Sequence, residues 1–350
     1  MAEHIAPGGF SCPVPQPPGD RVLLSHGGGG RHMQHLLKEV FFKHFDHPLL
    51  AERGDSAVFP SMTDGSLAMT TDSYVIKPLF FPGGDIGSLA VHGTVNDLAV
   101  CGARPRYLSA GFIIEEGFPM ADLVRIVDSM RHAADEVGAA IVTGDTKVVD
   151  RGSGDGLFVN VTGIGEVVVD PAPAPSHIRP GDRVLLSGDL GRHGIAVMAV
   201  REGLSFDTEL CSDSGPIWPT VEAMLREGIR PHCMRDLTRG GLGAALAELA
   251  ETTGLDIELD EAGLPVCEAV EGACEVLGLD PMFIANEGRF VAFVAPDQVA
   301  DALAVMAEAH GDAAVIGEVH EGAGRVRIVQ ATGLARMLLV PTGTQLPRIC

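Results

Sequence analysis

Phe80-Phe-Pro-Gly-Gly-Asp85, running into Ile86-Gly-Ser-Leu-Ala-Val-His-Gly-Thr-Val-Asn-Asp-Leu-Ala-Val-Cys101, is the stretch that decides the fold. The proline, the two glycines and the aspartate read as a turn. The residues after it predict a helix from about Ile86 to Cys101. That helix is almost wholly apolar, yet it carries Asn96 and Asp97. A carboxylate in such a helix is out of place unless it meets a cation or a donor.

Upstream, Leu67-Ala-Met-Thr-Thr71 predicts a strand closed by Asp72, and Asp55 precedes Ser56-Ala-Val-Phe59. Further back, Arg21-Val-Leu-Leu24 looks like a short strand. His26-Gly27-Gly28-Gly29-Gly30-Arg31 follows, and then an amphipathic helix from about His32 to Phe45. A glycine run before a helix exposes backbone N–H groups at the positive end of a dipole, which suits phosphate. It lacks the Gly-Lys-Ser/Thr of a P-loop and the spacing of a dinucleotide fingerprint, so a flexible hinge is an equal reading. His26, His32 and His35 gather at this turn. Nickel or zinc binding and phosphate-facing histidines both stay open.

Downstream, Arg106 to Ile114 predicts a buried strand and Met120 to Val137 a helix. Ala139-Ala-Ile-Val142 predicts a strand running into Thr143-Gly-Asp-Thr-Lys-Val148, and Gly156 to Val169 completes this half. Asp145 and Lys147, two apart, point to one side of the sheet. Asp145 suits a metal and Lys147 a phosphate or developing charge; a surface ion pair is the plain alternative. Asp170-Pro-Ala-Pro-Ala-Pro-Ser176 is the connector. The expected divisions are an arm (1–20), a first domain (21–170), a second (171–340) and a tail (341–350).

The second half alternates strands and helices: Val184–Ser187, Gly194–Arg201, Ile217–Glu227, Phe290–Val294, Asp297–Ala309, Ala313–Ile316 and Arg325–Val329. Within it, Met234-Arg-Asp-Leu-Thr-Arg-Gly-Gly241 opens a helix led by Asp236. Asn286-Glu-Gly288 sets Glu287 between two apolar segments as a candidate acid or base. The chain closes on Pro341-Thr-Gly-Thr-Gln-Leu-Pro-Arg-Ile-Cys350. Prolines and glycine disfavour helix there. Ten extended residues reach roughly 33–36 Å, enough to carry a terminal thiol head first into a cleft.

The net charge of −22 argues against nucleic acid and against an anionic membrane surface as partners. It is compatible with a polyphosphate if divalent cations stand between. No apolar run approaches the roughly 20 residues that span a bilayer, and Met1 to Gly19 has no hydrophobic signal core. Seven cysteines, an odd number without CxxC, speak against a disulfide framework or zinc cage and for a reducing cytoplasm.

Taken together, these pieces resemble the PurM-like ATP-binding superfamily, which includes aminoimidazole ribonucleotide synthetase, selenophosphate synthetase and thiamine monophosphate kinase. The matching residues are the glycine turn, Asp55 in GDSAVF, Asp72 in TDSYVI, Asp97 in VNDLAV, Asp145 in GDTKVV and Asp236 in RDLTRGG. Within it, FFPGGDIG, VNDLAVCGA, VTGDTKVV, RDLTRGG, ANEGRF and terminal PRIC resemble the HypE carbamoyl dehydratases of nickel–iron hydrogenase maturation, from about Arg21 to Cys350.

That resemblance implies an α/β (α+β) two-domain PurM-like fold. It implies a homodimer whose N-terminal domains pair through a β-barrel-like interface, and ATP with Mg²⁺ as cofactors. Asp55, Asp72, Asp97 and Asp236 would hold the metal. His26, Gly27, Gly28, Gly29 and Gly30 would close over the phosphates, with Asp72, Asn96, Asp97 and Asp145 also on the nucleotide. Cys350 would carry a carbamoyl group received from HypF and end as a thiocyanate. Lys147 and Glu287 would serve the entering tail, the choice of base staying open. The cyanide would pass to iron on a HypC–HypD complex. Two rivals stand beside this: another PurM-like phosphoryl transferase such as selenophosphate synthetase, with Cys12 as its thiol, and a metal-binding assembly scaffold.

Overall fold

The computed structural model describes residues 19–27, 31–51, 56–57, 65–203, 210–341, 346 and 348–350. Asp55, Gly28, Gly29, Gly30 and Cys12 therefore lie outside the described residues. The elements of the first half are α1 (Arg31–Leu36), α2 (Lys43–Phe45), α3 (Pro48–Ala51), β1 (Leu67–Tyr74), β2 (Phe80–Phe81), β3 (Gly84–Asp85), α4 (Ile86–Val100), β4 (Ala103–Glu115), α5 (Met120–Glu136), β5 (Ala140–Val149) and β6 (Leu157–Val167). A π-helical stretch, Leu37–Phe42, joins α1 to α2, so the amphipathic helix expected there runs through with a wider turn in its middle. Arg21–Leu24 is not a strand. Arg21 makes one isolated bridge to Pro119, and a 3-10 turn, Leu24–Gly27, follows.

Four strands form a sheet in the order β1-β6-β4-β5, with β4 and β5 parallel and the other pairs antiparallel. Period-2 alternation sorts β1 cleanly: Ala68, Thr70, Asp72 and Tyr74 turn inward, while Leu67, Met69, Thr71 and Ser73 face out. Asp72 therefore sits inside the strand rather than closing it. The inward face is covered by α4 and α5. Asp85 starts α4 with a capping box: its side chain accepts from Gly87 N and Ser88 N while Ser88 Oγ accepts from Asp85 N. α5 buries Leu123, Ile126, Val127, Met130 and Ala134, a 3.6-residue stripe, and leaves its charges outside. α4 is buried nearly all round because α5 and the sheet flank it on one side and the second half on the other.

The second half holds β7 (Arg183–Leu186), α6 (Arg192–Glu202), α7 (Trp218–Arg226), β8 (Cys233–Asp236), α8 (Gly241–Thr253), β9 (Asp256–Asp260), α9 (Glu268–Leu277), β10 (Phe290–Val294), α10 (Val299–His310), β11 (Ala314–His320), β12 (Val326–Val329) and β13 (Ala335–Met337). Its seven strands run β13-β12-β9-β11-β7-β10-β8, parallel only between β9 and β12. Every residue of β10 is buried because both faces of this sheet are covered. Val291 and Phe293 pack with Leu242 and Leu246 of α8 on one face. Phe290, Ala292 and Val294 share the other core with Trp218, Val221 and Met306. That second core is continuous with the interior around α4, so the two halves meet through apolar packing.

Candidate active site

Three carboxylates converge where the halves meet. Asp72 projects inward from β1, Asp97 from α4 and Asp236 from the end of β8. Thr70 Oγ1, next inward on β1, donates to Asp97 Oδ2 at 2.6 Å, which supplies the donor that an aspartate in an apolar helix needs. Tyr74 Oη donates to Asp72 at 3.4 Å. Burial raises the Asp97 carboxyl, and the Asp72 charge adds to it against the Thr70 hydrogen bond. Burial likewise pushes Asp236 up to about 7, with Asp97 the largest neighbouring charge. Such mutual repulsion is what a divalent cation relieves. Among the described residues no three His, Cys, Asp or Glu side chains are grouped closely enough to hold a metal ion by themselves. An open set of separated carboxylates fits Mg²⁺, which keeps waters and takes phosphate oxygens as further ligands.

The tail ends in the same place. Val75 N donates to Cys350 O at 3.4 Å and Lys77 N to Arg348 O at 3.3 Å, so the last residues run antiparallel beside the chain leaving β1, turned at Arg348 by a left-handed φ of 57°. Leu346 and Ile349 are buried, Arg348 pairs with Asp155, and Arg201 Nη2 donates to Arg348 O at 2.7 Å. Burial pushes the Cys350 thiol up to about 12. The Glu287, Asp72 and Asp236 charges add to that, and Arg239 opposes it. The terminal sulfur therefore stands among the groups that the sequence singled out.

Glu287 is only 2 % exposed, and its Oε1 has no hydrogen-bond partner among the described residues. Burial first, then the Asp213 and Asp236 charges, raises its carboxyl well above the usual range. Its backbone is clamped on both sides. Glu287 N donates to Asp213 Oδ2 at 3.1 Å, and Asn96 Nδ2 donates to Glu287 O at 3.2 Å. The neighbours in Asn286-Glu-Gly288 have separate tasks. Asn286 Oδ1 accepts from Gly191 N and its amide donates to Leu237 O and Ile284 O. A Cβ on Gly288 would stand 2.0 Å from Asp213 O, so only glycine allows the close approach.

Asn96, expected on the nucleotide, has its amide committed to protein. Besides Glu287 O it donates to Gly215 O at 3.0 Å, and its Oδ1 accepts from Ile217 N at 2.9 Å. It ties α4 to the second half. Asp145 and Lys147 also lie apart from the carboxylate group. They pair at 2.7 Å and are largely exposed on β5, the far edge of the sheet from β1. The register row Ser73, Asn160, Gly111, Asp145 shows that they share the outer face, whereas Asp72 is on the inner one. Three strand spacings put β5 about 14 Å from β1. A cavity of about 400 Å³ on that outer face is lined by Val75, Asn160, Asp145 and Lys147. Beside β5, a Cβ on Gly27 would meet Val148 N at 2.8 Å, and buried His26 accepts from Leu23 N through Nδ1 at 2.9 Å, with burial lowering its pKa. The glycine turn therefore leans on β5.

Sequence reasoning missed His193, Asp213, Tyr74 and Arg239. The polar break Cys211-Ser-Asp-Ser-Gly215 and the glycine-rich Ser187-Gly-Asp-Leu-Gly-Arg-His193 were the available signals.

Residues 53–167 match the model of the AIR synthase related protein N-terminal domain, and residues 179–330 match that of the C-terminal domain. The carbamoyl dehydratase HypE of Azotobacter vinelandii is 50% identical over 94% of this chain and 97% of its own. The chain belongs to the HypE family of AIR synthase related proteins. Its fold is accordingly PurM-like α/β. A crystal structure of hydrogenase maturation protein HypE in complex with ATP has a TM-score of 0.90 and 47% identity, covering 94% of this chain and 99% of that one. A HypE chain in a HypE–HypF complex has a TM-score of 0.76 and 45% identity, covering 87% and 99%. Among the described residues no helix is long and apolar enough to cross a membrane.

Proposed function

We propose that this HypE-family chain dehydrates a carbamoyl group carried on its own Cys350, using ATP, to leave a thiocyanate for hydrogenase maturation. The observation that carries the reading is the C-terminal segment seated beside Val75–Lys77, which sets the terminal thiol among Glu287, Asp72 and Asp236. Relatives named carbamoyl dehydratase, and one solved with ATP, agree with it.

Dehydrating R–S–C(O)NH₂ to R–S–C≡N removes one oxygen from carbon and two protons from nitrogen. When bound, ATP supplies the phosphoryl group that makes the carbamoyl oxygen leave as phosphate, with Mg²⁺ spreading the charge. In this reading Asp72, Asp97 and Asp236 hold the cation, with Asp55 as a further ligand. Glu287, as its carboxylate, accepts one proton from the carbamoyl nitrogen, and the second leaves with the departing phosphate. Asn96 and Asp213 hold Glu287 in position. Arg239, whose charge reaches the sulfur, stabilises negative charge developing on the carbamoyl oxygen.

Asp145 and Lys147 lie on the outer face, which also exposes Leu67, Met69 and Ile113. We assign that face to a homodimer, where it meets its copy in a barrel-like contact. Lys147 and Asp145 then serve the nucleotide or the tail from across that contact. The proposed divisions are an arm (1–20), two domains (21–170 and 171–340) and the tail (341–350). HypF is the carbamoyl donor, in keeping with the HypE–HypF complex of a relative, and HypC–HypD receives the cyanide. The test is Cys350→Ala: it should bind ATP with unchanged affinity yet fail to restore hydrogenase activity in cells lacking the native protein. Restored activity would end the reading.

A further inference from the structure

Arg348 takes a left-handed backbone conformation, φ 57°, so the last three residues turn at that point. In the docked tail the carbonyls of Arg348 and Cys350 accept from the N–H groups of Lys77 and Val75. The Ile349 carbonyl lies between them on a buried residue, where an unpartnered oxygen is costly. His193 meets it: Nε2 lies 2.8 Å from Ile349 O. His193 itself has no solvent exposure and stands edge-on to Phe81, ring centroids 5.3 Å apart. Ser212 orients the ring. Its Oγ accepts from Ser214 N, so its O–H is left to donate to His193 Nδ1 at 2.8 Å, which places the imidazole proton on Nε2. Burial keeps the ring neutral. Asp213 joins the latch to the acid, accepting His193 N on Oδ1 and Glu287 N on Oδ2.

The two edge bonds are long, at 3.4 and 3.3 Å, and withdrawing the tail by two residues would still leave one of them, from Lys77 N to the terminal carbonyl, while moving Sγ by about 7 Å. What else distinguishes the seated register is one carbonyl on one imidazole and the buried Ile349 side chain. We propose that His193 is the positioning residue that fixes the tail in register, so that Cys350 Sγ, and the carbamoyl group on it, stops beside Glu287. The same bond holds the thiol away from solvent until the tail leaves. This rests on the reading of Cys350 as the carrier, but its test does not depend on that chemistry.

The measurement is the alkylation rate of Cys350 by iodoacetamide in the full-length protein without nucleotide, read on the C-terminal peptide by mass spectrometry. Exposed Cys101 serves as the internal control. His193→Ala should speed Cys350 modification by about tenfold or more, the factor implied by orphaning a buried carbonyl. His193→Gln, which can still donate, should restore most of the protection. The Cys101 rate and the thermal midpoint should hold in both. A wild-type Cys350 rate in folded His193→Ala overturns the latch. Should His193→Ala not fold, His193→Phe, which fills the buried site without a donor for Ile349 O, must show the same acceleration; no acceleration there overturns it equally. Faster alkylation in a protein that never accepts a carbamoyl group leaves the latch standing and removes the function. An unchanged rate in a protein that does accept one does the reverse.

Discussion

Asp236→Asn should make the protein more stable while disabling it. Asp236 titrates at about 7 rather than 3.8 because it is buried against Asp97, with Asp72 adding to the repulsion. The folded state thus holds a proton that the unfolded chain releases, and stability falls as pH rises from about 4 to about 7. At about 1.4 kcal/mol per pH unit between 3.8 and about 7, ionising Asp236 costs the folded chain at most about 4 kcal/mol. The residue keeps some solvent contact, which screens part of this, so about half is expected. Asparagine has the same shape and no charge. In urea denaturation with EDTA, the variant should exceed the wild type by about 2 kcal/mol at pH 8, shrinking to about 0.5 kcal/mol near pH 4.5. Adding Mg²⁺ and ATP should stabilise the wild type by mass action and the variant far less. A variant that is less stable at pH 8, or a difference that ignores pH, would refute the electrostatic account of the carboxylate group.

Asp97→Asn should remove Mg-dependent ATP turnover with the fold retained, seen as lost ADP production beside unchanged circular dichroism; retained turnover would take Asp97 out of the site. Gly288→Ala places a methyl 2.0 Å from Asp213 O and should cost about 1–3 kcal/mol in urea denaturation as the Asp213 segment is pushed from Glu287. Asn96→Ala leaves the buried Gly215 and Glu287 carbonyls and the Ile217 N–H without its amide, for a loss of about 2–4 kcal/mol by the same measurement; a loss below about 1 kcal/mol would show that Asn96 is no strut. Lys147→Ala breaks an exposed ion pair, so denaturation should shift by less than about 1 kcal/mol even if turnover falls.

Much of the first half was legible because its patterns are strong. The turn at Pro82–Asp85 and the apolar run after it could only be a buried helix, and Asp97 within it needed the partner that Thr70 provides. The terminal cysteine stood out in the sequence because the prolines and glycine before it disfavour helix. What could not be read was phase. Alternation showed that Asp145 and Lys147 share a face, but which face is covered by helices depends on α4 and α5 packing on the other one. Asp72 therefore came out on the opposite side. Asn96 looked like a ligand because its sequence neighbour Asp97 does; a helical turn aims adjacent residues about 100° apart, and only the packing of the second half shows what Asn96 meets. β9, Asp256-Ile-Glu-Leu-Asp260, escaped notice because its acids mask a two-leucine-sized apolar face. His193 had only the glycine-rich stretch before it as a signal, and its role shows once the tail is in place, since its partner is a backbone carbonyl more than a hundred residues away.

The central claim is that the terminal sulfur carries the group whose oxygen is removed. Mass spectrometry of the C-terminal peptide, after incubation with HypF, carbamoyl phosphate and ATP, tests it most directly. The account predicts that Cys350 first gains the mass of one carbamoyl group and then, only with ATP and Mg²⁺ present, loses one water. A carbamoyl adduct on another residue, or one on Cys350 that persists unchanged with Mg-ATP, would contradict it.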